Sequence, residues 1–114
     1  MNEARGIWVE VRFSSMLYFE QTMPSLEPIH EFLFTDHALK EMARRQVTEE
    51  DVKTVLVKPE QTEMVREGRA VYQSRLEMDE PPKTYLLRVF VDIDPTPPYV
   101  VTVYRTSKIK KYWR

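Results

Sequence analysis

The chain has 114 residues, no cysteine, two histidines and a net charge of −1. That composition excludes disulfides and thiolate metal sites and argues against a histidine-built metal centre. It also suffices for one domain with one core. No run approaches the ~20 apolar residues of a membrane helix, and the mixed acid and base of the N-terminus is no secretory signal, so the expectation is a cytoplasmic protein without metal or cofactor. The charge is unevenly spread. Residues 1–34 hold five acids and two bases, a net −3 that leaves +2 for the remainder, and Arg105 to Arg114 holds five bases and no acid.

Ile7 to Phe13 alternates apolar and polar residues as a strand does, with Trp8 seeking cover. Met23 to Pro28 reads as linker, because two prolines and a serine interrupt any pattern. Residues 1–30 are therefore set apart as an arm or extra strand plus linker, and 31–114 as the domain. Either residues 1–22 pack on that domain, or they lie upstream of a natural start at Met23.

Glu31 to Phe34 is a short apolar strand or extended lead-in. Thr35 or Asp36 then caps a helix whose free first-turn amides need an acceptor. From His37 onward, Ala38, Leu39, Met42 and Ala43 share one side, the spacing of a buried stripe, while Lys40, Glu41 and Arg44 lie opposite. Gln46-Val47 joins this helix to a second. Thr48 to Asp51 opens that one as a near capping box; Val52, Val55 and Leu56 form its stripe, and Pro59 stops it.

Strands follow. Thr62–Arg66 and Arg69–Leu76 flank Glu67-Gly68, a two-residue turn in which glycine supplies positive φ. Thr84–Ile93 is the strongest strand, with Tyr85, Leu87, Val89, Val91 and Ile93 on one apolar face and Thr84, Leu86, Arg88 and Phe90 on a mixed one. Tyr99–Thr106 closes the series, with Val101 and Val103 on one face and Val100, Thr102 and Tyr104 on the other. The expected fold is α+β, two N-terminal helices on one face of a sheet of about four antiparallel strands, the other face open.

Phe34-Thr35-Asp36-His37-Ala38, then Met42-Ala43-Arg44-Arg45, then Val47 to Val52 resembles the opening of a widespread bacterial domain of unknown function (domain of unknown function four-two-five-eight). Gly68 to Tyr72, Leu87-Arg88-Val89, Val101 to Arg105 and Lys111-Tyr112-Trp113 resemble its strand motifs. The resemblance spans about residues 32–114. It implies kinship with RelE/ParE-type toxins, hence metal-independent RNA cleavage, often under control of an antitoxin. The chain departs from the pattern at Glu41, where relatives carry Arg, and at Gln46, where they carry Gly. A carboxylate at position 41 repels a phosphate.

His37 is the candidate general acid or base, since imidazole titrates near neutral pH; the alternative is a helix-start imidazole bonded to a carbonyl. Arg69 and Arg88 are candidates for stabilising phosphoryl oxygens, and Arg44 and Arg45 for holding phosphate. Arg69, Tyr72, Arg88, Thr102 and Tyr104 would make an anionic pocket if they converge. Lys108 and Lys111, interleaved with aromatics in the tail, suit phosphate contacts and base stacking, or a tail docked through Ile109, Tyr112 and Trp113 with its lysines in water. The functional expectation is a toxin-like endoribonuclease of a toxin–antitoxin system, with RNA as substrate and an antitoxin as partner. The alternative is a non-catalytic RNA- or protein-binding module of the same fold.

Overall fold

The computed structural model describes residues 26–114. The expected strand at residues 7–13 and the start at Met23 lie outside the described residues. Residues 26–30 are docked rather than free-running: Ile29 is buried and its N–H donates to the Leu56 carbonyl at 2.9 Å.

Helix α1 spans Asp36–Arg45. The Thr35 hydroxyl accepts from the Ala38 N–H at 3.0 Å and donates to the Val101 carbonyl at 3.3 Å, so one side chain both starts the helix and ties it to the sheet. Ala38 and Met42 are buried, but Leu39 is 42% exposed and Ala43 is exposed. The buried stripe is thus narrower than the sequence pattern suggested, because α1 lies against a strand near the sheet's edge and covers it with a single i, i+4 row. At the C-cap, Gln46 is left-handed at φ 57°, and the N–H groups of Gln46 and Val47 return to Ala43 and Met42. Glycine is favoured in that conformation.

Helix α2, Glu49–Val57, follows after a corner of three residues. Thr48 and Asp51 form both bonds of a capping box, each at 3.0 Å. Val52, Val55 and Leu56 are fully buried, as their spacing predicts. The helix ends two residues before Pro59.

Five strands form one mixed sheet. They are β1 (Leu33–Phe34), β2 (Gln61–Arg66), β3 (Arg69–Met78), β4 (Lys83–Asp92) and β5 (Tyr99–Thr106), in the order β1-β5-β4-β3-β2. The expected antiparallel sheet of about four strands is corrected by β1, which pairs parallel with β5 through Leu33–Tyr99 and Phe34–Val100. Parallel pairing is possible because the long excursion through both helices and three strands separates the two. Gly68 turns the β2–β3 hairpin at φ 82°.

A register shift in the β4–β5 ladder also corrects the expected faces of the last strand. Val91 pairs with Val100 but Phe90 with Thr102, which leaves Val101 as the extra residue of a bulge. Val100 therefore joins Val103 on the helix side, and both are buried. Ala70, Tyr72, Leu87, Val89, Val91, Val100 and Val103 meet Ala38, Met42, Val52, Val55 and Leu56 in one core.

Cross-strand partners share a face, so the opposite side carries Gln73, Arg88 and Tyr104 in one row. Val71, Phe90 and Thr102 form the next row, and Arg69 with Asp92 the end. This side is not simply open. Helix α3, Ile109–Tyr112, and residues 113–114 lie across it, and Leu86 and Val71 beneath are buried.

Candidate functional site

The side chains that converge do so around Arg88, at the middle of the sheet face away from the core. Strand β4 delivers it between Gln73 of β3 and Tyr104 of β5, and its Nε donates to the Gln73 Oε1 at 2.8 Å. The guanidinium lies over the Tyr112 ring at 4.4 Å from the centroid and near the Phe90 ring at 5.3 Å, distances at which cations are attracted to ring faces. Burial holds its pKa below the ordinary arginine value.

Arg45 reaches the same face from the last turn of α1, its guanidinium 4.8 Å from the Tyr104 centroid. Tyr104 and Tyr112 meet edge to face at 5.8 Å. The Tyr112 hydroxyl foremost, then Thr106 and the charges of Arg45 and Lys111, hold the Tyr104 phenol below its ordinary pKa. The result is a patch of two arginines and two tyrosines, with Lys111 at its margin.

Among the described residues, six arginines are neutralised by carboxylates, whereas Arg66 and Arg88 are not. Arg44 and Arg45 both bond to Glu41, at 2.9 and 3.0 Å. Arg69 holds Asp92 with two bonds of 2.7 and 3.1 Å. Arg75 pairs with Glu60, Arg105 with Asp79 and Arg114 with Glu63. Glu41 thus occupies its two arginines as well as adding a negative charge.

The three residues expected to act together do not converge. Arg69 lies four residues along β3 from Gln73, the partner of Arg88, which is about 13 Å of strand. His37 is exposed on the first turn of α1, eight residues before Arg45 and so about 12 Å away along the axis. Among the described residues its imidazole makes no hydrogen bond. Tyr72 is on the core side, its hydroxyl donating to the Glu27 carbonyl. Thr102 and Tyr104 do share the face with Arg88. Lys108 and Lys111 are exposed around α3. Gln73, which positions Arg88, carried no signal in the sequence beyond its place in a strand.

Three cavities among the described residues lie elsewhere. One of about 210 Å³ is lined by Arg66, Gly68, Asp92 and Asp94 at the β2–β3 turn. A second, of about 250 Å³, lies between Thr48, Glu77 and Arg105. A third, more apolar, of about 270 Å³, lies between Leu26, Tyr72, Ile93 and Pro98. Among the described residues no group of acids and histidines is placed to hold a metal, and no helix is long and apolar enough to cross a membrane.

No curated protein and no solved structure matches the chain. The family model for Domain of unknown function (DUF4258) matches residues 34–105, the stretch that runs from the Thr35 cap through both helices to the end of β5 and contains every residue of the Arg88 patch except those of the tail. With more than half of its length matched, this chain belongs to the DUF4258 family.

Proposed function

We propose that this domain binds single-stranded RNA through the sheet face that carries Arg88. One observation supports this above the others: a half-buried guanidinium with aromatic flanks and no carboxylate partner among the described residues. A flat cation beside Phe90 and Tyr104 suits stacking on bases and bonding to phosphate. Single-stranded RNA presents both groups together. The separation of His37 and Arg69 from Arg88 favours binding over a reaction that needs all three at one phosphorus.

The second reading is a metal-independent endoribonuclease related to RelE/ParE-type toxins, with an antitoxin as partner. The lowered pKa of Tyr104 favours it, since a phenol that ionises more readily, with Arg45 over its ring and Arg88 as its cross-strand neighbour, supplies a phenolate that can take the proton of a ribose 2′-hydroxyl. That oxygen would attack the adjacent phosphorus and expel the 5′-oxygen, which takes a proton from water as it leaves, and a 2′,3′-cyclic phosphate remains.

Binding of a fluorescein-labelled eight-nucleotide uridine RNA, followed by anisotropy at low salt, tests the proposal. The expected result is saturable binding that weakens at least tenfold in Arg88→Ala, about 1.4 kcal/mol, with the RNA intact on a gel. Cleaved RNA that stays intact with Tyr104→Phe would move the assignment to the nuclease. No binding by folded wild type would end both.

A further inference from the structure

The tail on the candidate face has the form of a ligand. Its two successive aromatic residues, Tyr112 and Trp113, each sit on a guanidinium: Tyr112 against Arg88 at 4.4 Å and Trp113 against Arg75 at 4.2 Å. Its backbone is bonded as an extended guest would be. The Tyr112 carbonyl accepts from Gln73 at 3.2 Å, and Arg114 exchanges bonds with Gln61 through its N–H and carbonyl at 3.2 and 3.0 Å. The Arg114 guanidinium closes the clasp on Glu63 at 2.7 and 2.8 Å.

This attachment is built to release. Helix α3 has four residues, no side-chain cap and no buried residue, too few to hold a helix by themselves. The Arg114–Glu63 pair is exposed on both sides, where ion pairs contribute little. Removing the tail would uncover Arg75, Arg88 and Gln73 over a floor formed by Val71 and Leu86. Arg75 and Arg88 are diagonal neighbours across the β3–β4 ladder, a spacing of about 7–8 Å.

We propose that Arg75 and Arg88 are two stacking subsites for successive bases of single-stranded RNA, and that Tyr112 and Trp113 fill them in the free protein as internal stand-ins, so that RNA enters as the tail leaves. The inference rests on the RNA-binding reading above and adds to it the two subsites and their self-occupancy. A protein whose binding-competent form is a minority species shows an affinity reduced by that fraction.

The test uses the full chain and the same uridine RNA. Glu63→Gln loosens the clasp and Trp113→Ala empties one subsite, while Glu50→Gln on α2 makes the same charge change as the first, away from the face. Trp113 also reports directly once Trp8, the other tryptophan, is replaced by phenylalanine. Expected are roughly tenfold tighter binding by Glu63→Gln and Trp113→Ala, no such gain for Glu50→Gln, and a red shift of Trp113 emission as RNA saturates the protein. Wild-type RNA binding with no gain in either loosened variant and unchanged Trp113 emission would overturn the stand-in while leaving the RNA-binding reading in place. No RNA binding by any of the folded chains would overturn both.

Discussion

Gln46 sits at φ 57° with no β-carbon-free residue to relieve it, and its side chain accounts for none of the bonds at that corner. Replacing it with glycine removes left-handed strain against a smaller cost in unfolded-chain entropy. Gln46→Gly is expected to raise stability by about 0.5–1 kcal/mol, read as a higher urea midpoint at unchanged slope. Gly68 is the opposite case. At φ 82° an added Cβ would also meet the Asp94 carboxylate at 2.9 Å, so Gly68→Ala should cost about 1–3 kcal/mol in the same measurement. Asp92 gives a pH prediction. The Arg69 guanidinium bonded to it holds its carboxyl below the ordinary value. Its folded pKa therefore lies under its unfolded one; its stabilisation is complete above the unfolded pKa and is lost as pH falls through the folded one. Asp92→Asn should lower stability at pH 7 by about 0.5–1 kcal/mol and converge with wild type in acid, as urea melts across pH 2–7 would show.

At the scale of elements, both helices are held by threonine caps, but the two caps are unequal. The Thr48 hydroxyl bonds only to Asp51, in its own capping box. Thr35 serves α1 and also donates to the Val101 carbonyl, which belongs to the bulge residue of β5. Thr35→Ala should therefore cost more than Thr48→Ala, about 1–2 against about 1 kcal/mol, by chemical denaturation of the two variants. The caps, Pro59, the Gly68 turn and the apolar alternation of β4 were all legible in the residues, because each is a local demand on dihedrals or on one face. The breadth of the α1 stripe was not. Leu39 satisfies the helical wheel as well as Met42 does, and only the position of α1 beside β5 leaves Leu39 in water. The bulge at Val101 was equally hidden, since a run of Val-Val-Thr-Val fits either register.

For the molecule as a whole, the Arg88 face should behave as a small electrostatic and stacking surface rather than a strongly basic one, since carboxylates neutralise most of the described arginines. RNA binding is then expected to lose affinity with salt at a log–log slope near −2, about three phosphate contacts on a single strand. Arg88→Lys should keep that slope while weakening binding, because lysine keeps the charge but not the planar fork; titrations at several salt concentrations separate the two effects. Composition, capping residues and apolar periodicity by themselves determined an α+β domain with two leading helices and a strand-rich remainder, because those features act over a few residues. The parallel seat of β1 on β5, the face each residue of β5 presents, the pairing of Arg69 with Asp92 and of Glu41 with two arginines, and the tail over Arg88 were decided only by tertiary structure. Each depends on which distant segments are brought together, and a side chain's charge is available to a ligand only where no such neighbour has already taken it.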